Sequence, residues 1–220
     1  MEKAAVIALP GGKTLKGKLA IVPSATMMAL VLHPHPHRGG NMNSHVVTEL
    51  CSTLQSQGVS TLRFNFRTDA AEGAELLALN AADARAALAH IVAASDTHTH
   101  LLLAGYSWGT VVAAHLGTEL GAHALGLVSP VLDALEKVGL AQWAGPTMII
   151  TGDNDFVCPA QQVFSVRSRG SAPHVVLIPN TDHFWSDRAV LGAAVGQVSR
   201  WLVQQGTDAG GGKKPPETEL

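Results

Sequence analysis

The apolar run Leu101-Leu102-Leu103-Ala104 passes directly into Gly105-Tyr106-Ser107-Trp108-Gly109 and from there into the helix-like stretch Thr110 to Leu120. A strand that enters a helix through G-x-S-x-G must reverse direction within very few residues, which puts the serine at the apex of a strained turn, a nucleophile elbow. Glycines on either side of Ser107, at Gly105 and Gly109, let neighbouring backbone come close enough for such an apex. The expected result is a Ser107 hydroxyl standing exposed at a helix N-terminus. There the Trp108 N–H and the helix dipole favour a developing negative charge.

The rest of the chain repeats this alternation. Ala4 to Leu9 and Leu15 to Ile21 read as two short strands joined by the Pro10-Gly11-Gly12 turn. Met27 to Leu32 is a continuous apolar run, the pattern of a strand buried on both faces, followed by a Gly, Pro and His-rich loop over residues 33–43. Val46, Val47, Leu50 and Leu54 have helical spacing, with Gly58 as the stop, and Val59 to Phe64 is the next strand. A second helix spans 76–94, with Leu79, Ala82, Ala86, Ala89 and Ile91 broadly on one side. Strand 101–105, helix 108–120, strands 124–128 and 147–151, helix 160–168, strand 175–178 and helix 188–204 complete the series. Strands alternating with helices predict an α/β fold, a mostly parallel twisted sheet with helices on both faces.

With 220 residues, 46% of them hydrophobic and 15% charged, the chain has material for one substantial core, and one domain over 1–205 is expected. The tail 206–220 has almost no apolar side chains and is expected to be disordered. A net charge of −2 gives no footprint for nucleic acid or an anionic membrane. No apolar run approaches the roughly 18 residues of a membrane span, and the N-terminus has no leader pattern, so a cytoplasmic protein is expected. Two cysteines in a chain of this size do not suggest a disulfide framework, and Cys51 reads as a small buried hydrophobe. Oligomeric state leaves no mark on the sequence.

A serine at neutral pH is a poor nucleophile and needs a base, itself oriented by a third group. Thr151-Gly152-Asp153-Asn154-Asp155 follows a buried strand and carries two candidate acids. Asp155 is favoured, being three residues beyond Gly152 and followed by Cys158-Pro159 opening a helix, while Asp153 is expected to brace the turn. Of the eleven histidines, only His183 lies in the loop after the last strand. Ser107, Asp155, His183 is then the triad, in the chain order nucleophile, acid, base. The second oxyanion donor beside Trp108 should come from His33-Pro34-His35-Pro36-His37, where the prolines have no N–H; His35 is the first candidate, with His37 behind it. Histidines alternating with proline do not converge readily on one ion, so no metal site is expected there, and no cofactor motif is present.

These residues together resemble the α/β-hydrolase superfamily, and more narrowly its small hydrolases with an H-P-H-P-x-x-G-G-x-M loop, here His33 to Met42 and continuing to Val46-Val47. Arg63-Phe64-Asn65-Phe66-Arg67 and Asp182-His183-Phe184 fit the same group over about residues 15–204. The resemblance implies an eight-stranded sheet and a Ser107, Asp155, His183 triad. The chain departs from the group after Arg67, with Thr68 to Gly73 where relatives have a glycine and serine-rich turn, which bears on substrate preference. Only about 18 residues, including Trp143, separate the strand ending near Val128 from that starting at Thr147, so little or no lid is expected. The expected activity is that of a serine hydrolase, carboxylesterase or thioesterase in type, cleaving a small-molecule ester or thioester through an acyl-serine. The alternative is a catalytically silent interaction or scaffold module on the same fold.

Overall fold

A computed structural model of the protein describes residues 1–94, 97, 99–135 and 137–208. Eight strands form one sheet: β1 (Lys3–Ala8), β2 (Thr14–Ala20), β3 (Met27–Leu32), β4 (Ser60–Phe64), β5 (His100–Tyr106), β6 (Ala124–Val128), β7 (Thr147–Gly152) and β8 (His174–Ile178). They lie in the order β1-β2-β4-β3-β5-β6-β7-β8. Only β2 runs against its neighbours; every pair from β4 to β8 is parallel. The helices are α1 (His45–Ser56), α2 (Ala74–Ala93), α3 (Trp108–Leu116), α4 (Leu132–Leu135), α5 (Ala160–Val163) and α6 (Arg188–Asp208). Strand order reverses around β3 and β5, the place where open α/β sheets hold their ligands beyond the strand C-termini.

The continuous apolar runs of the central strands are explained by burial on two faces. Met28, Leu30, Leu32, Leu101 and Leu103 point into one core with α2 and α3. Ala29, Val31, Leu102 and Ala104, the alternating positions, point into a second core under α1 and α6. Val46, Val47, Leu50 and Leu54 are the buried stripe of α1, as their spacing predicts.

Several elements differ from the sequence reading. On α2 the buried face is Leu76, Asn80, Asp83, Ala84, Ala87, Leu88 and Ile91, whereas Ala82 is exposed and Leu79 only half-buried. Two polar residues on the inner face hid the true stripe. This helix has the length and composition to cross a membrane, but here it contributes to the core beside the sheet. The helix expected over 160–168 stops at Val163, because Ser165 Oγ donates to Gln162 O at 2.6 Å and Arg167 Nη1 to Phe164 O at 2.7 Å, satisfying terminal carbonyls. Helix α3 ends at Leu116 rather than 120, and the following residues form turns in which Leu120 N–H still reaches Leu116 O. At the C-terminus α6 continues to Asp208, four residues past the expected helix end and three into the expected tail, while 209–220, the rest of that tail, lies outside the described residues. Between β6 and β7 the described residues hold α4 and a short 3-10 turn at Leu140–Gln142, and the segment is too short for a lid domain.

Candidate active site

Strand β5 ends at Tyr106 and α3 begins at Trp108, so Ser107 is the whole connection, with φ 53° and ψ −117°. A positive φ at serine is strained and is held by what surrounds it. A Cβ on Gly105 would lie 2.4 Å from the backbone of Gly109, and one on Gly109 would lie 2.2 Å from Leu32 O, so the turn closes only because both residues are glycine. Contrary to the expectation of an exposed nucleophile, Ser107 is just 8% exposed. Its hydroxyl lies under the His183 ring, 3.1 Å from Nε2.

His183 Nδ1 in turn lies 2.9 and 3.0 Å from the two carboxylate oxygens of Asp155. Asp155 is buried and also accepts the N–H groups of Val157 and Cys158 on Oδ1 and the Thr151 hydroxyl on Oδ2. Burial pushes its carboxyl up, but the hydrogen bonds from His183 and Ser129, the His183 charge and the Cys158 N–H outweigh it and hold the group below the ordinary aspartate value. An ionised Asp155 makes Nδ1 the proton-bearing nitrogen and leaves the Nε2 lone pair facing Ser107. Asp153 plays no such part: it is exposed, and among the described residues its carboxylate accepts no hydrogen bond. The turn-bracing expected of Asp153 is done by Asp155 itself.

The loops that carry Asp155 and His183 are laid side by side by Asp153 N–H to Ile178 O and Asn154 N–H to Thr181 O, both 3.1 Å. The Tyr106 hydroxyl donates to His183 O at 2.9 Å, His45 Nε2 bonds Phe184 O at 2.8 Å, and the buried Trp185 indole donates to Ser129 Oγ at 3.0 Å. Tyr106 was legible only as the second residue of the elbow, and nothing local marked His45 or Ser129 as supports.

On the other side of Ser107, the four histidines of the 33–45 stretch each make different hydrogen bonds or ring contacts. His33 donates from Nδ1 to Pro34 O at 2.6 Å and accepts the Phe66 N–H on Nε2 at 2.9 Å. Burial lowers its pKa to about 4, against which the Pro34 bond acts weakly, so it is neutral at pH 7. The His35 ring packs 4.9 Å from the Trp108 indole, centre to centre, so the two residues expected to supply the oxyanion donors are neighbours. The Trp108 N–H is the first of α3, and neither it nor the His35 N–H has a backbone acceptor among the described residues. His37, exposed, bonds Thr68 O at 3.0 Å, away from that position, and His45 belongs to the base loop.

A buried polar scaffold holds this loop. Arg63 reaches from β4 to Met42 O at 2.6 Å and to Asn43, while Glu2 takes two of its other N–H groups at 2.8 and 2.6 Å. Asn65 Oδ1 accepts the Met42 N–H at 2.9 Å. Asp83, with no exposed side-chain surface, receives both the backbone and side-chain N–H of Arg67. Asn80, one turn away, joins Arg67 O to the Trp108 indole N–H. Asn80 and Asp83 are buried polar supports of this region that the sequence reading missed; their signal was two polar residues three apart on an alanine-rich helix.

Comparison with known proteins agrees with the fold. A family model described as an alpha/beta hydrolase domain matches residues 27–206. An uncharacterised protein of Rickettsia prowazekii is 32% identical over 191 residues, covering 80% of this chain and 79% of that protein. Among solved structures, a protein of unknown function from Agrobacterium tumefaciens, assigned in its description to the alpha/beta hydrolases, is 25% identical with a TM-score of 0.80, covering 98% of this chain and 100% of that one. An alpha-beta serine hydrolase homologue from Coxiella burnetii is 26% identical with a TM-score of 0.73, over 92% and 96% of the two chains. A serine hydrolase without a lid from Xanthomonas campestris, at 24% identity and a TM-score of 0.68 over 99% and 97%, shares the fold.

Proposed function

The chain belongs to the alpha/beta hydrolase family, and from that premise we propose that it is a serine hydrolase of the carboxylesterase or thioesterase type, cleaving small acyl esters through an acyl-serine intermediate. The observation that carries the reading is the unbroken line from Ser107 Oγ to His183 Nε2 at 3.1 Å and from Nδ1 to Asp155 at 2.9 Å. His183 takes the Ser107 proton as Oγ attacks the substrate carbonyl carbon. The resulting oxyanion is met by the N–H groups of Trp108 and His35, and Asp155 stabilises the imidazolium without taking the proton. Collapse breaks the bond to the leaving oxygen or sulfur, which receives the proton from His183. Water then attacks the acyl-serine by the same route, with His183 again as base, and releases the acid.

Membership of the narrower group with the His33 to Val47 loop is part of the same proposal. It is supported by what the signature residues do here: His33, Asn65 and Arg63 all serve to fix the loop that carries His35. The catalytic unit is one domain up to the end of α6, and its partner is a small-molecule ester or thioester.

A fluorophosphonate probe followed by peptide mapping tests the reading. Labelling is expected at Ser107, and Ser107→Ala is expected to abolish it and to lower nitrophenyl-ester turnover by about 10⁴-fold or more. Labelling at a different serine, or none, rejects the proposal.

A further inference from the structure

Of the five phenylalanines, Phe64 and Phe66 are in the core and three are exposed: Phe164, at 57%, directly after α5, and Phe156 and Phe184, at 70% and 59%. Among the described residues, Phe156 and Phe184 alone of these three have ring contacts with one side chain, His183. Phe156 lies 5.9 Å and Phe184 5.7 Å from the His183 ring, centre to centre, and the two are 6.1 Å from each other. Each follows a proposed triad residue directly in sequence, Phe156 after Asp155 and Phe184 after His183. Their backbones are pinned. Phe156 sits in the turn closed by the Val157 N–H on Asp155 Oδ1. Phe184 gives its N–H to Asp182 at 2.9 Å and its carbonyl to His45. Exposed apolar rings held in fixed positions next to a reactive group mark a binding surface rather than a packing defect.

We propose that Phe156 and Phe184 form the leaving-group subsite of the enzyme, and that it selects neutral esters with an apolar, ring-sized alcohol portion. The inference rests on the serine-hydrolase reading, because His183 fixes which half of the substrate lies there. The imidazole that takes the Ser107 proton must return it to the departing oxygen, so the alcohol leaves past His183 while the acyl carbonyl lies toward Trp108 and His35. Rings flanking His183 therefore touch the alcohol. Charge points the same way: partly exposed Asp182 and exposed Asp153, on the same two loops, repel an anionic leaving group such as a phosphorylated thiol. Ring-on-ring contact at the edges of Phe156 and Phe184 then adds affinity for an aromatic alcohol that a methyl ester does not receive.

The test compares kcat/KM for benzyl butyrate and methyl butyrate, whose alcohols are similar in acidity, in the parent protein, Phe156→Ala, Phe184→Ala and the double variant. The benzyl-to-methyl ratio is expected to fall about threefold to tenfold in each single variant and further in the double. The methyl hexanoate to methyl butyrate ratio, which reads the acyl side, is expected to stay constant. A benzyl-to-methyl ratio unchanged in the double variant overturns the subsite, as does an effect confined to the acyl series. Fluorophosphonate labelling of Ser107 in the parent separates the two levels. A labelled protein with an unchanged ratio rejects the subsite alone, and an unlabelled protein rejects the hydrolase reading and the subsite with it.

Discussion

The two walls that flank Ser107 are built in different ways. On the acid and base side, each loop takes its shape from its own side chains: Asp155 caps Val157 and Cys158, and Asp182 caps Phe184 and Ser186. Tyr106 and His45 then moor the base loop as a whole. On the oxyanion side, the 33–43 loop also closes short turns of its own, with the Arg38 and Gly40 N–H groups on His35 O, but its two ends are held by donors and acceptors from elsewhere, Met42 by Asn65 and Arg63 and His33 by the Phe66 N–H. Arg63 is itself tied to Glu2 at the far end of the chain. A locally closed turn keeps its geometry as long as its few residues are present. A remotely held loop shares the fate of the tertiary structure. Substitutions on the first wall should therefore cost catalysis with little stability, and substitutions on the second should cost both.

The largest effect is expected on the first wall. In Asp155→Asn the amide presents N–H to His183 Nδ1, so the imidazole proton moves to Nε2 and the lone pair facing Ser107 is lost. Turnover should fall by about 10³ to 10⁴-fold. The melting temperature should change little, since the oxygen of the new amide still accepts the Val157 and Cys158 N–H groups that Asp155 Oδ1 accepts in the parent. Asp153→Asn should leave turnover within about twofold, its carboxylate being exposed. If kcat collapses in Asp153→Asn and survives in Asp155→Asn, the acid assignment is wrong although the fold stands.

The same division explains what the sequence disclosed. The elbow, the Asp155 loop and the His183 loop are local objects, each following a strand within a few residues, and spacing alone located them. The central strands β3, β5 and β6 were legible for a related reason, since a strand buried on both faces is a nearly continuous apolar run whatever its partners, while β1 and β2 showed by the glycine turn between them. The scaffold of the oxyanion loop was opaque, because Arg63 and Asn65 bond residues more than 20 positions away and look in sequence like polar residues on an ordinary strand. Asn80 and Asp83 went further and misled, since turning polar groups inward shifted the apparent apolar stripe of α2 by about a third of a turn. Exposure of Ser107 was also misjudged, because the ring that covers it arrives from His183, 76 residues downstream.

A second effect should appear as acid sensitivity of the oxyanion wall. His33 is held at a pKa of about 4 in the fold against 6.5 in the unfolded chain, so the folded state binds fewer protons between those values. Stability from this group is complete above pH 6.5 and is lost as pH falls toward 4. The loss amounts to about 2 kcal/mol by pH 5 and about 3 kcal/mol in full. His35 and His123 are also lowered by burial and act in the same direction, so the measurement is a difference. Urea midpoints at pH 7 and pH 5 should separate strongly in the parent and much less in His33→Gln, which has no proton to gain. Equal separations would mean that His33 titrates freely and that the wall is looser than its hydrogen bonds suggest.

The smallest effect is the one that ties the second wall to catalysis. Asn65→Ala leaves the part-buried Met42 N–H without its acceptor, at a cost of about 1–3 kcal/mol in stability. The loop carrying His35 then shifts relative to Trp108, and because a full oxyanion donor is worth about 10² to 10³ in turnover, partial displacement should lower kcat by roughly tenfold. An oxyanion contact is made more strongly in the transition state than in the ground state, so kcat and kcat/KM should fall together with KM unchanged. Asn65→Asp restores an acceptor for Met42 and should recover most of the turnover, which a merely destabilised fold would not do so selectively. A variant that loses stability but keeps the parent kcat would show that the remote anchor shapes the loop without placing the donor, and the contrast between the two walls would then be one of stability alone.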